Sequence, residues 1–276
     1  MRKPWKWMNK KKTRLLAGPY LVWIIGFTLL PMITVVLTAF TGTDGHFTLS
    51  YLRSVGEHVH IAALLLSLVL ALVTTAICLI LSFPLALILR SLKIKNQGIV
   101  VFLFMLPMWI NFLLRIMAWK MILAKNGILN TFLEFLHLPA LNIINTPAAI
   151  VIGMVYDYLP FMLLPVYSAI EKIKDDYIEA AYDLGADYFT VLKKIIIPLS
   201  MSGIVSGITM VFVPSLTSFA VSDILGGGKI LLIGNVIEQD FMQGNQWGTG
   251  SALSFILMIF VIISMILSQL FEKEEK

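Results

Sequence analysis

The sequence predicts an all-α polytopic membrane protein with six transmembrane helices, and two observations carry that prediction. The first is composition: 58% of the 276 residues are hydrophobic and 13% are charged, against roughly 25% charged in an ordinary globular domain. The second is a recurrence of apolar runs that each reach the ~20 residues a spanning helix needs, at residues 15–40, 61–89, 98–123, 148–170, 199–221 and 251–270. Within these runs the only charged residues are Arg115, Lys120 and Asp157.

The N-terminal segment, residues 1–14, is strongly basic and predicts the orientation of the chain. Lys and Arg collect on the cytoplasmic side of a bilayer, so we expect both termini to lie inside. We expect the first run to be retained, because it exceeds the about 7–15 apolar residues of a secretory signal and no small-residue cleavage site follows it. The predicted organisation is a cytoplasmic segment (1–14), one transmembrane domain (15–270) and a cytoplasmic tail (271–276).

The second and fourth runs differ in their polar content. The second contains Cys78, the chain's single cysteine, so no intrachain disulfide can form. The fourth contains Asp157 about 15 Å into the span, and an intramembrane carboxylate is a functional candidate by default. The alternatives are that Asp157 pairs with Arg115 or Lys120, or that it caps a broken helix.

Four neighbours of Asp157 in the fourth run support a functional interpretation of that helix. Tyr156 and Tyr158 flank the carboxylate, and Pro160 and Pro165 follow it. Prolines are tolerated in spanning helices where neighbouring helices or cavity water satisfy the freed carbonyls. The sequence therefore predicts a broken helix that lines a pathway.

A polar stretch, residues 171–198, interrupts the apolar pattern between the fourth and fifth runs, and we call it the polar hairpin. Its first half predicts a short helix that Asp175 or Asp176 caps, with Glu179 near the positive end of the helix dipole. Gly185 can adopt the left-handed conformation that ends a helix.

The second half of the polar hairpin predicts another short helix. Asp187 is placed to cap it, and the apolar residues Val191, Leu192 and Ile195 recur at helical spacing. Pro198 then stands where the first turn of the next span begins. The expected structure is a rigid helical hairpin fused to two membrane helices.

The segment after the fifth run combines acidic residues with glycines. Asp223 follows Phe219 and precedes three glycines, so it is a candidate for lining a gate. The apolar stretch 229–237 is too short to cross a bilayer, which predicts a re-entrant or interfacial turn. Glu238 and Asp240 follow it as further candidates, with ordinary solvated acids as the alternative.

The chain has no recognisable nucleotide or metal site of its own. The G-G-G-K sequence at 226–229 is not a phosphate-binding loop, because Asp223 stands where the first glycine of that loop would be and Ile230 replaces its Ser or Thr. His58 and His60 lack a visible third ligand, so no metal is expected. No catalytic constellation appears, and any energy source is expected in a partner.

The polar hairpin resembles the EAA motif of ABC importer permeases: Glu-Ala-Ala, three residues, Gly, nine residues, Ile, one residue, Leu-Pro. The matching positions are Glu179, Ala180, Ala181, Gly185, Ile195 and Pro198, and Ile197 replaces the usual Leu. The resemblance implies a type I ABC importer permease fold in which the hairpin docks on a separate ATPase subunit. ATP and Mg would be bound by that partner, with no cofactor in this chain.

The resemblance extends over nearly the whole chain. The stretches LPMWINFLLRIMAWKMIL, VIGMVYDYLPFMLLPVYSAIEK and VSDILGGGKILLIGNVI are similar to the B-type permease of the spermidine/putrescine transport family. That resemblance implies a polyamine cargo and a place in a bacterial cytoplasmic membrane. It also implies three partners: a C-type permease, a pair of ATPase subunits and an extracytoplasmic polyamine-binding protein.

The charge pattern is compatible with a cationic cargo, since an acidic vestibule concentrates cations and aromatic rings add cation–π contacts. The candidates for the substrate path are Asp157, Tyr156, Tyr158, Phe219, Asp223, Glu238 and Asp240. One alternative is the same machine with another cargo, such as an amino acid or a metal complex. An ATP-independent channel or carrier would leave the polar hairpin without a role. A structural assembly factor would give no reason for a carboxylate inside a span.

Overall fold

The structure is a computed structural model, and it describes residues 18–42, 44–92, 102–242 and 246–274. In those residues the secondary structure is helical apart from one isolated bridge between Thr41 and Phe47. The chain divides into two compact units: Met1–Glu57 with Asp240–Leu257, and His58–Gln239 with Met258–Lys276. The predicted all-α class is therefore confirmed.

The helices are, in chain order, α1 Gly18–Phe40, α2 Ser50–Ser54, α3 His58–Ser91, α4 Phe102–Trp109, α5 Phe112–Leu123, α6 Ile128–Phe135, α7 Pro147–Glu171, α8 Asp175–Asp183, α9 Tyr188–Leu199, α10 Met201–Thr217, α11 Ala220–Gly226, α12 Ile233–Met242 and α13 Trp247–Glu274. Four stretches are long and apolar enough to cross a membrane: α1, α3, α7 and the part Trp247–Ile266 of α13. Two bent helix pairs raise the number of candidate spans to six.

In the first unit, α1 contains a π-helical turn at Ile25–Leu29 and buries almost nothing against this chain. The ring of Phe40, at its end, stacks on Phe47 with centroids 5.9 Å apart and meets Phe255 edge-on at 5.3 Å. An apolar helix of this length must be covered by lipid or by another protein. That exposure fits the prediction of a spanning helix.

The third and fifth apolar runs, each predicted as one spanning helix, are interrupted by a bend or a break. The helix pair of the third run bends by 93° at Ile110 and Asn111, where Ile110 is extended and the Asn111 side chain accepts a hydrogen bond from the Leu113 N–H at 2.9 Å. A side chain that caps a helix in this way starts a new one. In the fifth run, α10 ends at Thr217, before residue 221, and Ser218 is extended.

The fourth run is continuous, so the prediction of a broken helix at Pro160 and Pro165 is wrong. α7 runs through both prolines without interruption. The neighbouring α10 approaches closely there, because a Cβ on Gly203 would lie 2.4 Å from the Pro165 carbonyl oxygen. Protein therefore covers this part of α7, which is a condition under which membrane helices tolerate proline.

The core of the second unit forms where α3, α7 and α10 pack against one another. Cys78 of α3, Met154 and Met162 of α7 and Val211 of α10 are fully buried. This packed group positions the polar hairpin and α11. The hairpin begins at one end of the group, and α11 packs against α7 near the other end.

Candidate functional site

The polar hairpin folds as two helices around a glycine turn, as the sequence predicts. α8 ends in a left-handed Gly185 with φ +84°, and the Gly185 and Ala186 N–H groups donate to the carbonyls of Tyr182 and Ala181 at 2.9 and 3.0 Å. This pair of bonds is the Schellman helix end. The Asp187 side chain accepts from the Thr190 N–H at 3.2 Å and caps the second helix.

The predicted cap of the first hairpin helix is wrong. Lys174 occupies the N-cap position without a side-chain hydrogen bond, and Asp175 and Asp176 lie in the first turn. Carboxylates in the first turn interact favourably with the positive end of the helix dipole. The Asp175 carboxylate instead serves a tertiary contact with Arg90, at the end of α3.

Buried side chains and one guanidinium anchor the polar hairpin to the spans. Arg90 donates to the Ile173 carbonyl at 2.7 Å and to the Asp175 carboxylate at 2.8 Å. Ile173, Val191 and Ile196 are buried in the core of the unit. These contacts tie the polar hairpin to the ends of α3 and α7 and to the start of α10.

The polar hairpin also exposes large apolar and aromatic side chains. Leu184 is 89% exposed and Phe189 74%, although both belong to a polar stretch outside the apolar runs. Tyr177, Tyr182 and Tyr188 are exposed as well. Exposed apolar side chains in a polar segment are typical of a binding face. Leu184 and Phe189 were not among the predicted site residues, although a bulky apolar side chain in an otherwise polar segment is a signal for such a role.

The residues of the EAA match take different positions on this hairpin. Glu179, Ala180 and Pro198 are exposed, whereas Ala181 and Ile195 are half-buried against the core. A cavity of about 730 Å³ lies between the hairpin and the ends of α3 and α7, and its lining includes Glu179 and Tyr188. Exposed and anchoring residues thus alternate along the motif.

Asp157 forms a buried ion pair, which decides between the alternatives left open by the sequence. Its Oδ1 lies 3.3 Å from Nη1 of Arg115, and the two side chains are 2% and 9% exposed. Lys120 is exposed. A ring contact between Trp119 and Tyr156, with centroids 5.4 Å apart, forms a second link between α5 and α7.

The other predicted path residues do not gather at one point. Tyr158 is buried, and its hydroxyl donates to the Pro214 carbonyl at 3.4 Å. Phe219 and Asp223 are exposed, Tyr156 is at the border of exposure, and Glu238 and Asp240 are half-buried. Asp157 and Asp223 do lie on neighbouring helices, because α11 packs against both α5 and α7.

The segment at 218–237, which we call the glycine-rich segment, is tied into the core by side-chain hydrogen bonds. The Ile233 N–H donates to the hydroxyl of Ser67 on α3 at 2.8 Å. Asn235 donates to the Phe219 carbonyl and accepts from the Leu232 N–H, at 3.1 and 3.2 Å. Residues 232–236 are buried, so this stretch packs inside the protein.

Among the residues that the structure describes, no group of three or more His, Cys, Asp or Glu side chains could hold a metal ion. His58 and His60 begin α3.

Comparison with known proteins identifies the family from sequence. The family model described as "Binding-protein-dependent transport system inner membrane component" matches residues 78–276. The spermidine/putrescine transport system permease protein PotB of Haemophilus influenzae is 37% identical and aligns over 94% of this chain and 93% of its own. PotB of Escherichia coli is 40% identical over 86% of this chain and 89% of its own.

Solved structures agree in fold. A chain of the bacterial alginate ABC transporter in complex with a pentasaccharide-bound periplasmic protein superposes with a TM-score of 0.78 at 17% identity, over 94% of this chain and 93% of the other. A chain of the MetNI methionine ABC transporter gives 0.56 at 15% identity, over 78% and 95%. The chain belongs to the family of binding-protein-dependent transport system inner membrane components, and is a membrane-embedded ABC importer permease rather than an enzyme.

Proposed function

We propose that this chain is one of two permease subunits of an ATP-driven importer for polyamines, and that the polar hairpin couples it to a separate ATPase. The observation that carries the coupling role is the hairpin itself, in which exposed Leu184 and Phe189 project from helices anchored to the core. An exposed apolar face on a short helix suits a groove on a partner protein. ATP and Mg are held by that partner.

The anchoring of the polar hairpin supports a rigid-body mechanism. Closure of the ATPase pair would move α8, which Arg90 ties to the end of α3 through Ile173 and Asp175. The same movement would be transmitted from α9 to α10, since the two helices follow each other directly with a bend of 65° between them. Domain closure that moves packed helices as bodies is a common mode of switching. In this scheme both termini and the hairpin are cytoplasmic, as the basic segment predicts.

The proposal of a polyamine cargo rests on the relatives and on the exposed acids of the chain. The two PotB relatives are named for spermidine and putrescine. Asp223 and Phe219 are exposed side by side at the start of α11, where a carboxylate and an aromatic ring could receive an ammonium group. Tyr156, Glu238 and Asp240 remain further candidates, while Asp157 is already neutralised by Arg115.

The test is uptake of radiolabelled spermidine into proteoliposomes that contain this chain, the second permease and the ATPase, with the binding protein outside and ATP inside. We expect uptake only with the full set, and none when ADP replaces ATP. Uptake by this chain alone would rule out the coupled importer. ATP hydrolysis without uptake of spermidine or putrescine would keep the importer and refute the cargo.

A further inference from the structure

The Arg115–Asp157 pair is poorly supported for a buried ion pair. Its 3.3 Å contact is longer than the ~2.7–2.9 Å of a well-formed charged hydrogen bond. Within the described residues, neither Asp157 oxygen nor the Arg115 Nε has a hydrogen-bond partner. A buried pair without such support is weak evidence for stability, because desolvation of both charges opposes the attraction between them. Its presence in a span requires another explanation.

The position of the pair suggests that explanation. Gly153, one helical turn before Asp157, lets α11 approach: a Cβ there would lie 2.4 Å from Leu225 Cδ1 and 3.2 Å from Val221 Cγ1. Those two α11 side chains are buried, whereas Asp223 between them is exposed. The helix that carries the exposed acid thus packs directly on the two helices that carry the ion pair.

We propose that Asp157 is a positioning residue that neutralises Arg115 and holds it against α7, so that no net positive charge lies beside the route of a cationic cargo past Asp223. This inference rests on the proposed function, since only a cationic cargo would be repelled. An unpaired guanidinium in a spanning segment is weakly screened, and its repulsion grows with each positive charge on the passing molecule.

The prediction that separates this role from simple packing is a dependence on cargo charge. Spermidine carries three ammonium groups and putrescine two. Asp157→Asn leaves Arg115 unpaired, so the ratio of spermidine to putrescine uptake should fall roughly tenfold, as expected for one extra unit charge at moderate distance in a medium of intermediate dielectric constant. Arg115→Gln leaves the carboxylate unpaired, so the same ratio should rise instead.

The experiment measures initial uptake of both polyamines by the full transporter in proteoliposomes, normalised to its ATPase activity. It compares the wild type, the two single variants and the double variant Arg115→Gln/Asp157→Asn, which is neutral and should restore the wild-type ratio. The matched control is Lys120→Gln, which removes an exposed cation from the same helix and should leave the ratio unchanged. If Asp157→Asn does not assemble, the opposite shift in Arg115→Gln still decides the question.

Two results would overturn the inference while the proposed function stands: an unchanged ratio in both single variants, or a double variant that remains defective. A ratio that changes equally in Lys120→Gln would also count against it. If the wild type imports neither polyamine, the proposed function fails first and this inference fails with it.

Discussion

The polar hairpin and the glycine-rich segment are both short interruptions of an apolar chain, yet they are built in opposite ways. The hairpin is held in shape by contacts between near neighbours, such as the Ala186–Ala181 bond and the Asp187 cap. The glycine-rich segment depends on a partner far away in sequence, because its Ile233 N–H is bound by Ser67. The hairpin exposes Leu184 and Phe189, whereas the other segment buries residues 232–236.

This difference separates docking from structural support. A residue on the exposed side of the hairpin can be changed with little effect on the folded chain, while its role toward a partner is lost. A residue in the glycine-rich segment should affect the folded state first, and transport only as a consequence. Four variants test that separation, and the change that we expect decreases from the first to the last.

Gly234→Val should have the largest effect on stability. A Cβ at Gly234 would lie 2.7 Å from the Thr217 carbonyl oxygen, a backbone atom that cannot move without α10. Overpacking against backbone should cost about 3 kcal/mol or more. The measurement is the thermal unfolding of the purified chain in detergent. The matched control is Gly26→Val, because nothing lies within 4 Å of a Cβ there; equal destabilisation by both variants would contradict the packing described.

Asn235→Ala should be the next most damaging. Its amide is 3% exposed and bonds both the Phe219 carbonyl and the Leu232 N–H. Removal would leave the Leu232 N–H unsatisfied, whereas the Phe219 carbonyl still accepts from the Asp223 N–H. The expected cost is roughly 1–3 kcal/mol. The same unfolding measurement applies. Gln239→Ala, an exposed position on the same helix, serves as the control and should change little.

Gly185→Val should abolish coupling with only a small loss of global stability. Nothing lies within 4 Å of a Cβ at this position, so the penalty is the left-handed backbone itself, about 1–2 kcal/mol for a β-carbon residue. We expect ATP-driven uptake to be lost while the melting temperature stays near that of the wild type. Gly185→Asn, which tolerates φ > 0, should retain uptake. Loss of uptake in both variants would mean that the turn conformation is not the cause.

Asp187→Ala should have the smallest effect, limited to the first turn of α9. Hydrogen bonds from Thr190, chiefly from its side chain, lower the pKa of the Asp187 carboxyl. A lowered pKa in the folded state means that the cap contributes at pH values above its unfolded pKa, near ~3.9, and is lost as the pH falls through the lowered value. Hydrogen exchange of the Thr190 amide should therefore be faster in the variant at neutral pH. Asp187→Asn should preserve most of the protection.

The contrast also explains which parts of the fold could be predicted. The glycine turn, the Asp187 cap and the buried face around Val191 follow from local patterns, and the structure confirms them. The predicted cap at Asp175 or Asp176 is not formed. Lys174 occupies the N-cap position, and Asp175 binds Arg90, a residue 85 positions earlier. No local pattern carries that information.

The spans show the same division. Their existence follows from hydrophobic runs, but the bend at Asn111 and the end of α10 at Thr217 depend on capping and on neighbouring helices. The continuity of α7 through Pro165 depends on how closely α10 packs at Gly203. Which of two nearby cations would neutralise Asp157 likewise required the packing of α5 against α7.

The most direct test of the central proposal, that the polar hairpin is the dock of the ATPase, is a site-specific block at its exposed tip. Cys78 is the chain's single cysteine and is fully buried, so Leu184→Cys would offer one accessible thiol for a bulky maleimide. The control is Leu49→Cys, an exposed position in the first unit. We predict that labelling at 184 stops the permease from retaining the ATPase subunit in a pull-down and stops spermidine uptake, while labelling at 49 leaves ATPase retention intact. Full ATPase retention after labelling at 184 would contradict the account.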